Sequence, residues 1–155
     1  MESIIEKFYF AFQNLDAEEM VSYYHEEVIF EDPAFGKLRG DHARNMWRML
    51  CKSQKGKDFK VTYDKVSIQD NNGKAHWEAN YIFSQTGRKI HNKIDAEFTL
   101  KDGKIIKHTD HFNLHQWATQ ALGFKGWLIG WTPFFKNKLQ SQTNRLLTKF
   151  ETSLK

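Results

Sequence analysis

The chain has 155 residues and a net charge of +4, and its 40% hydrophobic and 15% aromatic content is enough to bury one sizeable core. Two prolines and nine glycines argue against fibrous and disordered classes, and no apolar run reaches the roughly 20 residues of a membrane-spanning helix. A single cysteine, Cys51, excludes an internal disulfide, and the N-terminus has no basic signal region, so we expect one cytoplasmic domain over residues 1–155.

Three amphipathic helices are predicted in the first third of the chain. Residues 2–14 carry apolar side chains at helical spacing, and a capping-box pattern at Asp16 begins a second helix that ends near His25. A third helix begins after Gly40 and ends in a polar stretch. The predicted buried sides of the first and third helices carry Ile5, Phe8, Phe12, Leu15, Ala43, Met46, Trp47 and Leu50.

A short strand lies between the second and third helices. Pro33 ends this strand, because proline cannot donate a hydrogen bond to a strand ladder. Side chains alternate along a strand, so Val28, Phe30 and Asp32 share one face. The pattern therefore predicts a carboxylate that points inward among apolar neighbours, together with Trp47 of the third helix.

Four further strands are predicted to form an antiparallel meander, whose inner face the helices cover. They lie at about residues 59–68, 77–83, 92–100 and 104–114. A change of phase after Tyr63 indicates a β-bulge, and Asn71-Asn72-Gly73 predicts a tight hairpin turn. The predicted inner face of the last strand carries Ile106, His108, Asp110 and Phe112.

The C-terminal part contains an apolar segment, residues 126–135, that is rich in Trp, Phe and Gly. Because it is too apolar to stay exposed, we expect it to cover the mouth of an internal pocket or a dimer seam. The alternative is docking on a membrane surface, since residues 125–155 hold six Lys and Arg against one acid, with flanking charges at Lys125, Lys136 and Lys138. Thr132-Pro133 begins a final helix whose predicted buried face carries Phe135, Leu139, Leu146 and Phe150.

Five short motifs follow one another between these elements. They are Phe30-Glu31-Asp32-Pro33, Phe35-Gly36 with Leu38 and Gly40, Thr86-Gly87-Arg88, Asp102-Gly103-Lys104-Ile105, and His108-Thr109-Asp110-His111-Phe112. Their order over residues 2–117 resembles the nuclear transport factor 2-like superfamily, and within it the SnoaL-like group named for polyketide cyclases. The resemblance implies an α+β fold, a cone-shaped and strongly curved mixed or antiparallel sheet wrapped around the N-terminal helices (the cystatin-like roll). Residues 118–155 would add an apolar segment and an extra C-terminal helix.

The superfamily includes enzymes and non-catalytic binders, so the resemblance does not decide the function. The proton-abstracting Asp of its steroid isomerases falls on Asp32, whereas their two oxyanion donors fall on Phe8 and Ala96. Each such donor contributes about 3 kcal/mol, which argues against steroid isomerisation by that arrangement. The His and Asp of polyketide cyclases match His108 and Asp110, and the Asp-Arg-Asp network of epoxide hydrolases has no counterpart.

Two interpretations stay open for each of these ionisable residues. Burial without a cationic partner would raise the pKa of Asp32 toward that of a general acid or base, or Asp32 could instead cap the turn at Pro33. His108 and Asp110 lie two positions apart on a strand, so Asp110 could take a proton while His108 donates one to an oxygen. The same pair could also be a satisfied polar contact inside the cone.

The sequence therefore leaves two functions open. One is a cofactor-independent acid–base enzyme of isomerase, cyclase or dehydratase type, acting on a small hydrophobic oxygenated molecule through Asp110, His108 and Asp32. The other is a non-catalytic module that binds a small apolar ligand in the same cone. Either ligand would contact Trp47, Tyr81, Asn92, Trp77, Phe30 and Phe112. We expect no cofactor, metal or nucleic acid, and a homodimer through the outer sheet face, which carries Asp95, Glu97 and His111.

Overall fold

The computed structural model describes residues 1–155, which form six helices and six strands. The helices are α1 (Ile4–Gln13), α2 (Ala17–Ser22), α3 (Asp41–Gln54), α4 (Leu114–Leu122), α5 (Phe124–Ile129) and α6 (Pro133–Ser153). The strands are β1 (Tyr24–Asp32), β2 (Gly36–Arg39), β3 (Lys60–Gln69), β4 (Asn72–Phe83), β5 (Arg88–Lys101) and β6 (Lys104–His111). None of the helices combines the length and the apolar composition needed to cross a membrane.

The six strands form one curved, unclosed sheet in the order β2-β1-β6-β5-β4-β3. β1 and β6 are parallel, and every other neighbouring pair is antiparallel. The inner face of the sheet shares one apolar core with α1, α2 and α3. The predicted α+β cone around the N-terminal helices, with an additional C-terminal helix, is confirmed.

Aromatic side chains dominate the packing of α1 and α3 inside the cone. Phe8 and Phe12 of α1 both meet Trp47 of α3 edge-on, with ring centroids 5.5 and 5.1 Å from that of the indole. Such edge-to-face pairs stabilise a core beyond the area that they bury. Most of the predicted helix faces are buried as expected, and the partly buried exceptions are Leu15 and Leu50.

The first strand is longer than its sequence pattern predicts. β1 begins at Tyr24 and α2 ends at Ser22, whereas the sequence favoured a helix up to His25 and a strand from Val28. Tyr24 is buried and pairs with Ile105 of β6. Long-range pairing therefore overrides a weak local helical preference, as it commonly does near the end of a short helix.

Two hairpins also differ from the sequence prediction. The four-residue strand β2, which returns antiparallel to β1, was missed because it is too short to show an alternating pattern. The turn between β3 and β4 is Asp70-Asn71 rather than Asn71-Asn72-Gly73. Gly73 instead lies within β4, where a Cβ atom would come within 2.4 Å of the Ile5 side chain of α1. That glycine serves close packing and not a turn.

The predicted meander of β3 to β6 is confirmed, including a bulge in β3 where the register with β4 shifts between Asp64 and Ser67. A second irregularity, which the sequence did not reveal, shifts the pairing of β5 with β6. As a result Ile105 and not Ile106 is the buried residue near the start of β6. The predicted inner face of β6 therefore begins at His108.

The C-terminal segment adds a second, smaller core beside the open end of the cone. Buried side chains of α4 pack there against Ile90 of β5 and Phe135 of α6. The N-cap of α6 is Thr132, whose side chain accepts a hydrogen bond from the Phe135 amide, as predicted. The buried face of α6 differs at one position, because Leu147 enters the main core while Leu146 remains 48% exposed.

α5 lies against α4 at a distance that only glycine allows. A Cβ atom on Gly126 would come within 1.9 Å of the backbone oxygen of Ala118. Backbone cannot move aside as a flexible side chain can, so any larger residue would push α5 away from α4. We expect Gly126→Ala to lower the free energy of unfolding by about 1–3 kcal/mol, measured by urea denaturation.

Leu128→Ala, on the exposed side of α5, is the matched control for this prediction. Its expected change is below about 0.5 kcal/mol, because the side chain makes few buried contacts. A wild-type urea midpoint for Gly126→Ala would contradict the close approach of the two helices.

Candidate functional site

A cavity of about 400 Å³ opens at the wide end of the cone. Its wall is mostly hydrophobic, and the polar groups on it include Asp32, Tyr81, Asn92 and Asp110. All six residues that were predicted to contact a ligand lie in this wall: Trp47, Tyr81, Asn92, Trp77, Phe30 and Phe112. Ligand binding itself stays a prediction.

Two carboxylates stand side by side in the wall because of the parallel pairing of β1 with β6. Phe30 pairs with His108 and Glu31 pairs with Thr109, so Asp32 and Asp110 take the next positions, on one face of neighbouring strands. Neighbouring strands lie about 5 Å apart, which is close enough for two charges to interact strongly. The structure thus places two of the three predicted catalytic residues side by side in the cavity wall.

Asp32 is the last residue of β1, and its carboxyl group both caps the following turn and faces the cavity. Its Oδ1 accepts hydrogen bonds from the backbone amides of Ala34 and Phe35, at 2.9 and 2.6 Å. Burial raises the pKa of Asp32 to about 7, against the two amide hydrogen bonds that lower it, and the nearby charge of Asp110 adds to the increase. The turn-capping and the acid–base interpretations are therefore compatible, because only Oδ1 is used in the turn.

α6 holds the turn that contains these two amides, a role that the sequence did not reveal. Three of its side chains donate hydrogen bonds to successive carbonyl groups of the turn, Gln140 to Pro33, Thr143 to Ala34 and Asn144 to Phe35. Polar residues at i, i+3 and i+4 of a helix form a continuous strip, which could have been noticed in the sequence. Their hydrogen-bond partners are more than 100 residues away in the sequence and could not have been predicted from it.

His108 lies deeper than the other two predicted catalytic residues. It is completely buried and has no surface in the cavity wall, whereas Asp110 is 3% exposed and does. Its ring is enclosed by the rings of Phe8, Phe30, Trp47 and Phe98. The sequence placed His108 on the correct face of β6. It also predicted that this imidazole contacts a ligand, but the side chains above the ring separate it from the cavity.

A chain of buried hydrogen bonds passes through His108. The indole of Trp47 donates to the Tyr24 hydroxyl at 2.7 Å, and that hydroxyl lies 2.8 Å from His108 Nδ1. His108 Nε2 lies 2.9 Å from Asp110 Oδ1, which also accepts from the indole of Trp77 at 3.3 Å. Every polar group in this chain therefore has a partner.

The direction of each proton in the chain follows from the two ends. An indole N–H can only donate, so the Tyr24 oxygen accepts from Trp47 and its single O–H donates to His108 Nδ1. His108 Nε2–H then donates to Asp110 Oδ1. This arrangement fixes the orientation of Asp110 and leaves its Oδ2 free of protein partners.

Two neutral hydrogen-bond donors face the same cavity from β4 and β5. The Tyr81 oxygen accepts a hydrogen bond from the indole of Trp117 at 2.9 Å, so its own O–H has no acceptor within the protein. Asn92 lies two positions along β5 from Ile90, which pairs with Tyr81. The side-chain amide of Asn92 has no hydrogen-bond partner in the protein either. Both groups are available to an oxygen atom of a ligand.

The outer face of the sheet carries the residues that were predicted to point away from the cavity. His111, Asp95 and Glu97 are all exposed, and His111 lies 3.1 Å from Glu97 across the β5–β6 pair. A homodimer through this face stays a prediction. No three His, Cys, Asp or Glu side chains converge so that they could hold a metal ion.

Comparison with known proteins gives one family and many structural relatives. The model of the SnoaL-like domain matches residues 5–108, which is most of the cone. No curated protein sequence matches the chain significantly. The sequence comparison therefore identifies the family and no individual relative.

Solved structures share the fold at low sequence identity. A Catenulispora acidiphila protein with a ketosteroid isomerase-like fold, in complex with trimethylamine, is 14% identical, with a TM-score of 0.64 over 84% of this chain and 97% of that chain. A candidate polyketide cyclase of Xanthomonas campestris is 18% identical, with a TM-score of 0.61 over 76% and 93%. An LEH-like epoxide hydrolase of M. tuberculosis is 20% identical, with a TM-score of 0.59 over 82% and 88%.

Proposed function

Because this chain belongs to the family of SnoaL-like domains, whose cone encloses the cavity described above, we propose that it is a cofactor-independent acid–base enzyme. Its substrate would be a small hydrophobic molecule that carries a carbonyl or hydroxyl group. The observation that carries this proposal is Asp32, a carboxyl group with a pKa near 7 in a largely apolar cavity. A group with that pKa is populated in both protonation states at neutral pH, as a general acid or base must be.

The proposed reaction begins with proton abstraction by Asp32. Ionised Asp32 takes a proton from the carbon next to a carbonyl group, and the electron pair of the C–H bond moves onto the carbonyl oxygen. The free hydrogen atoms of Tyr81 and Asn92 donate to that oxygen and stabilise its developing charge. The proton then returns from Asp32 to another carbon or leaves with a hydroxyl group as water, so isomerisation and dehydration need no other reactant.

Asp110 would act as the second carboxyl group of the site. Its charge raises the pKa of Asp32, and His108 and Trp77 hold its Oδ1. The charge of Asp110 thus helps to keep a proton on Asp32 near neutral pH, where Asp32 can act as an acid or a base. In this arrangement His108 is a positioning residue, because it acts on the substrate only through Asp110.

The second candidate is a non-catalytic module that binds an apolar ligand. It is favoured by the mostly hydrophobic wall and by the burial of His108 away from the cavity. The two candidates differ in one respect that can be measured, since only an enzyme moves protons on the bound molecule.

Deuterium exchange on a probe ketone tests this difference without knowledge of the natural substrate. 2-Tetralone is small and apolar and has exchangeable protons next to its carbonyl group. We expect the wild-type protein to accelerate their exchange in D₂O, followed by NMR. Asp32→Asn and Asp110→Asn should each reduce the acceleration by about 100-fold or more, the usual contribution of a general base.

Gln142→Ala, at the exposed rim of the cavity, is the control and should exchange as the wild type does. Binding of the ketone is measured in parallel through quenching of tryptophan fluorescence. Binding without exchange would support the non-catalytic module instead. Equal exchange rates in the wild type and in both carboxylate variants would overturn the role of the pair.

A further inference from the structure

Five large apolar side chains at the C-terminal end of the cavity are exposed. They form the apolar patch, defined as Phe124, Trp127, Leu128, Trp131 and Phe134, and each is between 54% and 75% exposed. The sequence had predicted that this segment would not stay exposed but would cover the mouth of the pocket or a dimer seam. Ile129 and Phe135 of the same segment do line the cavity, whereas the five patch side chains do not and most of their surface is left uncovered.

The apolar patch sits on a fixed scaffold and not on a loose loop. Gly126 anchors α5 against α4, and the His115 ring bonds the backbone oxygen of Trp127 at 2.7 Å. The indole N–H of Trp131 donates to the Leu128 oxygen at 3.1 Å, and the rings of Phe124 and Trp127 stack at 5.8 Å. The aromatic rings are thus presented outward by a structure that is already ordered.

The charged residues that flank the patch along the sequence have one sign. Residues 111–150 contain no Asp or Glu, and the basic side chains among them include Lys125, Lys136, Lys138 and Arg145, all exposed. The patch is therefore flanked by positive charge with no acid near it in the chain to neutralise it. Such a surface is complementary to a partner that is both apolar and anionic.

We propose that the apolar patch docks on the surface of a lipid bilayer that contains anionic phospholipids. Tryptophan and phenylalanine rings are favoured at the boundary between headgroups and acyl chains, where the indole keeps its polar edge near water. Lysine and arginine side chains next to them bind lipid phosphates and carboxylates, each adding to the attraction. The apolar patch supplies the aromatic rings, and Lys125, Lys136 and Lys138 supply the positive charges.

A second copy of the chain fits the same surface less well. A twofold symmetric dimer pairs a surface with itself, so it would bring the lysines of both copies together. Since residues 111–150 contain no acid, no side chain of this segment would offset that repulsion. An anionic bilayer turns the same charges into an attraction.

Docking in this orientation also places the cavity close to the lipid. Lys125 and Lys138 are exposed and line the cavity, so they mark its rim beside the patch. A hydrophobic molecule dissolved in the bilayer could then enter the cavity without crossing water. Membrane docking itself does not depend on catalysis, so it stands or falls separately from the proposed function.

Flotation with vesicles tests the proposal on the full chain. The wild type should float with vesicles of phosphatidylcholine and phosphatidylserine in a three-to-one mixture, and less with phosphatidylcholine alone or at high salt. The double variant Trp127→Ser/Trp131→Ser should lower the partition coefficient by about tenfold or more, because both anchoring rings are lost. Lys136→Glu/Lys138→Glu should abolish the preference for the anionic vesicles.

Phe10→Ser is the matched control, because Phe10 is an exposed aromatic residue outside the patch. It should float as the wild type does, and circular dichroism checks that each variant is folded. Wild-type protein that stays with the unbound fraction, or a double serine variant that floats equally well, overturns the proposal. So does a solution dimer that the double serine variant abolishes, since the patch would then bind a second copy.

Discussion

Asp32→Asn should gain stability relative to the wild type as the pH rises. The free energy of unfolding of the variant minus that of the wild type should be larger above pH 7 than at pH 4. The pKa of Asp32 is raised to about 7 in the folded chain, against about 3.9 for an aspartate in an unfolded chain. The folded state therefore holds a proton that the unfolded state releases. This contribution to stability is complete below about pH 4 and is lost as the pH rises through 7.

The size of the effect follows from the two pKa values. A shift of the pKa from about 4 to about 7 corresponds to a change of about 4 kcal/mol in the free energy of unfolding. Water that reaches the partly exposed side chain of Asp32 reduces this change to about 2–3 kcal/mol. Asparagine does not titrate, and its Oδ1 can still accept from the amides of Ala34 and Phe35. Urea unfolding at pH 4, 5, 6, 7 and 8 measures the difference.

Asp32→Ala separates the charge of Asp32 from its role in the turn. It should be less stable than Asp32→Asn by about 1 kcal/mol at every pH, because it loses the two hydrogen bonds to the turn. Like Asp32→Asn, it lacks the pH dependence that the titration of Asp32 gives the wild type. If Asp32→Asn keeps the wild-type slope of stability against pH between 4 and 7, the raised pKa of Asp32 is wrong, and the acid–base proposal loses its main support.

His108→Leu should lower the free energy of unfolding by about 3–5 kcal/mol, because two buried polar groups each lose one hydrogen-bond partner. These groups are the Tyr24 hydroxyl and Oδ1 of Asp110, both of which bond to the ring of His108. For a chain of this length that loss corresponds to a decrease in Tm of about 10 °C. Calorimetry and urea unfolding at one pH give both quantities.

A double-mutant cycle shows whether the hydrogen-bond chain is the cause. Tyr24→Phe removes one of the two groups that lose a hydrogen-bond partner in His108→Leu. The double variant should therefore lose less stability than the sum of the single losses, by about 1 kcal/mol or more. Strict additivity, or a His108→Leu variant within about 1 kcal/mol of the wild type, would contradict the chain of buried bonds.

The predictions for the inner faces of the strands succeeded because alternation is a local property. Phe30 and Asp32 on β1, and His108 and Asp110 on β6, point inward as their two-residue spacing requires. The helix faces of α1 and α3 could be predicted in the same way from their period. Errors appeared at the short elements, such as β2 and the start of β1, where few residues carry a pattern.

The depth of each residue within the cone could not be predicted from alternation. His108 and Asp110 share a face, but the rings of Phe8 and Trp47 cover only the first of them. Those rings come from α1 and α3, whose positions depend on packing between parts of the chain far apart in sequence. The same limit applied to the apolar patch, since the sequence shows that a residue is apolar but not whether another element covers it.

By itself the sequence determined the α+β class, most of the inward faces of the strands and the types of residue that line the cavity, because spacing and polarity are written along the chain. Only the tertiary structure decided that Asp32 stands beside Asp110, that His108 is shielded, and that the apolar patch is left uncovered. The physical reason is that the pairing of β1 with β6 and the packing of α4 to α6 join residues far apart along the chain. Their register and depth are set by the packing of the whole molecule.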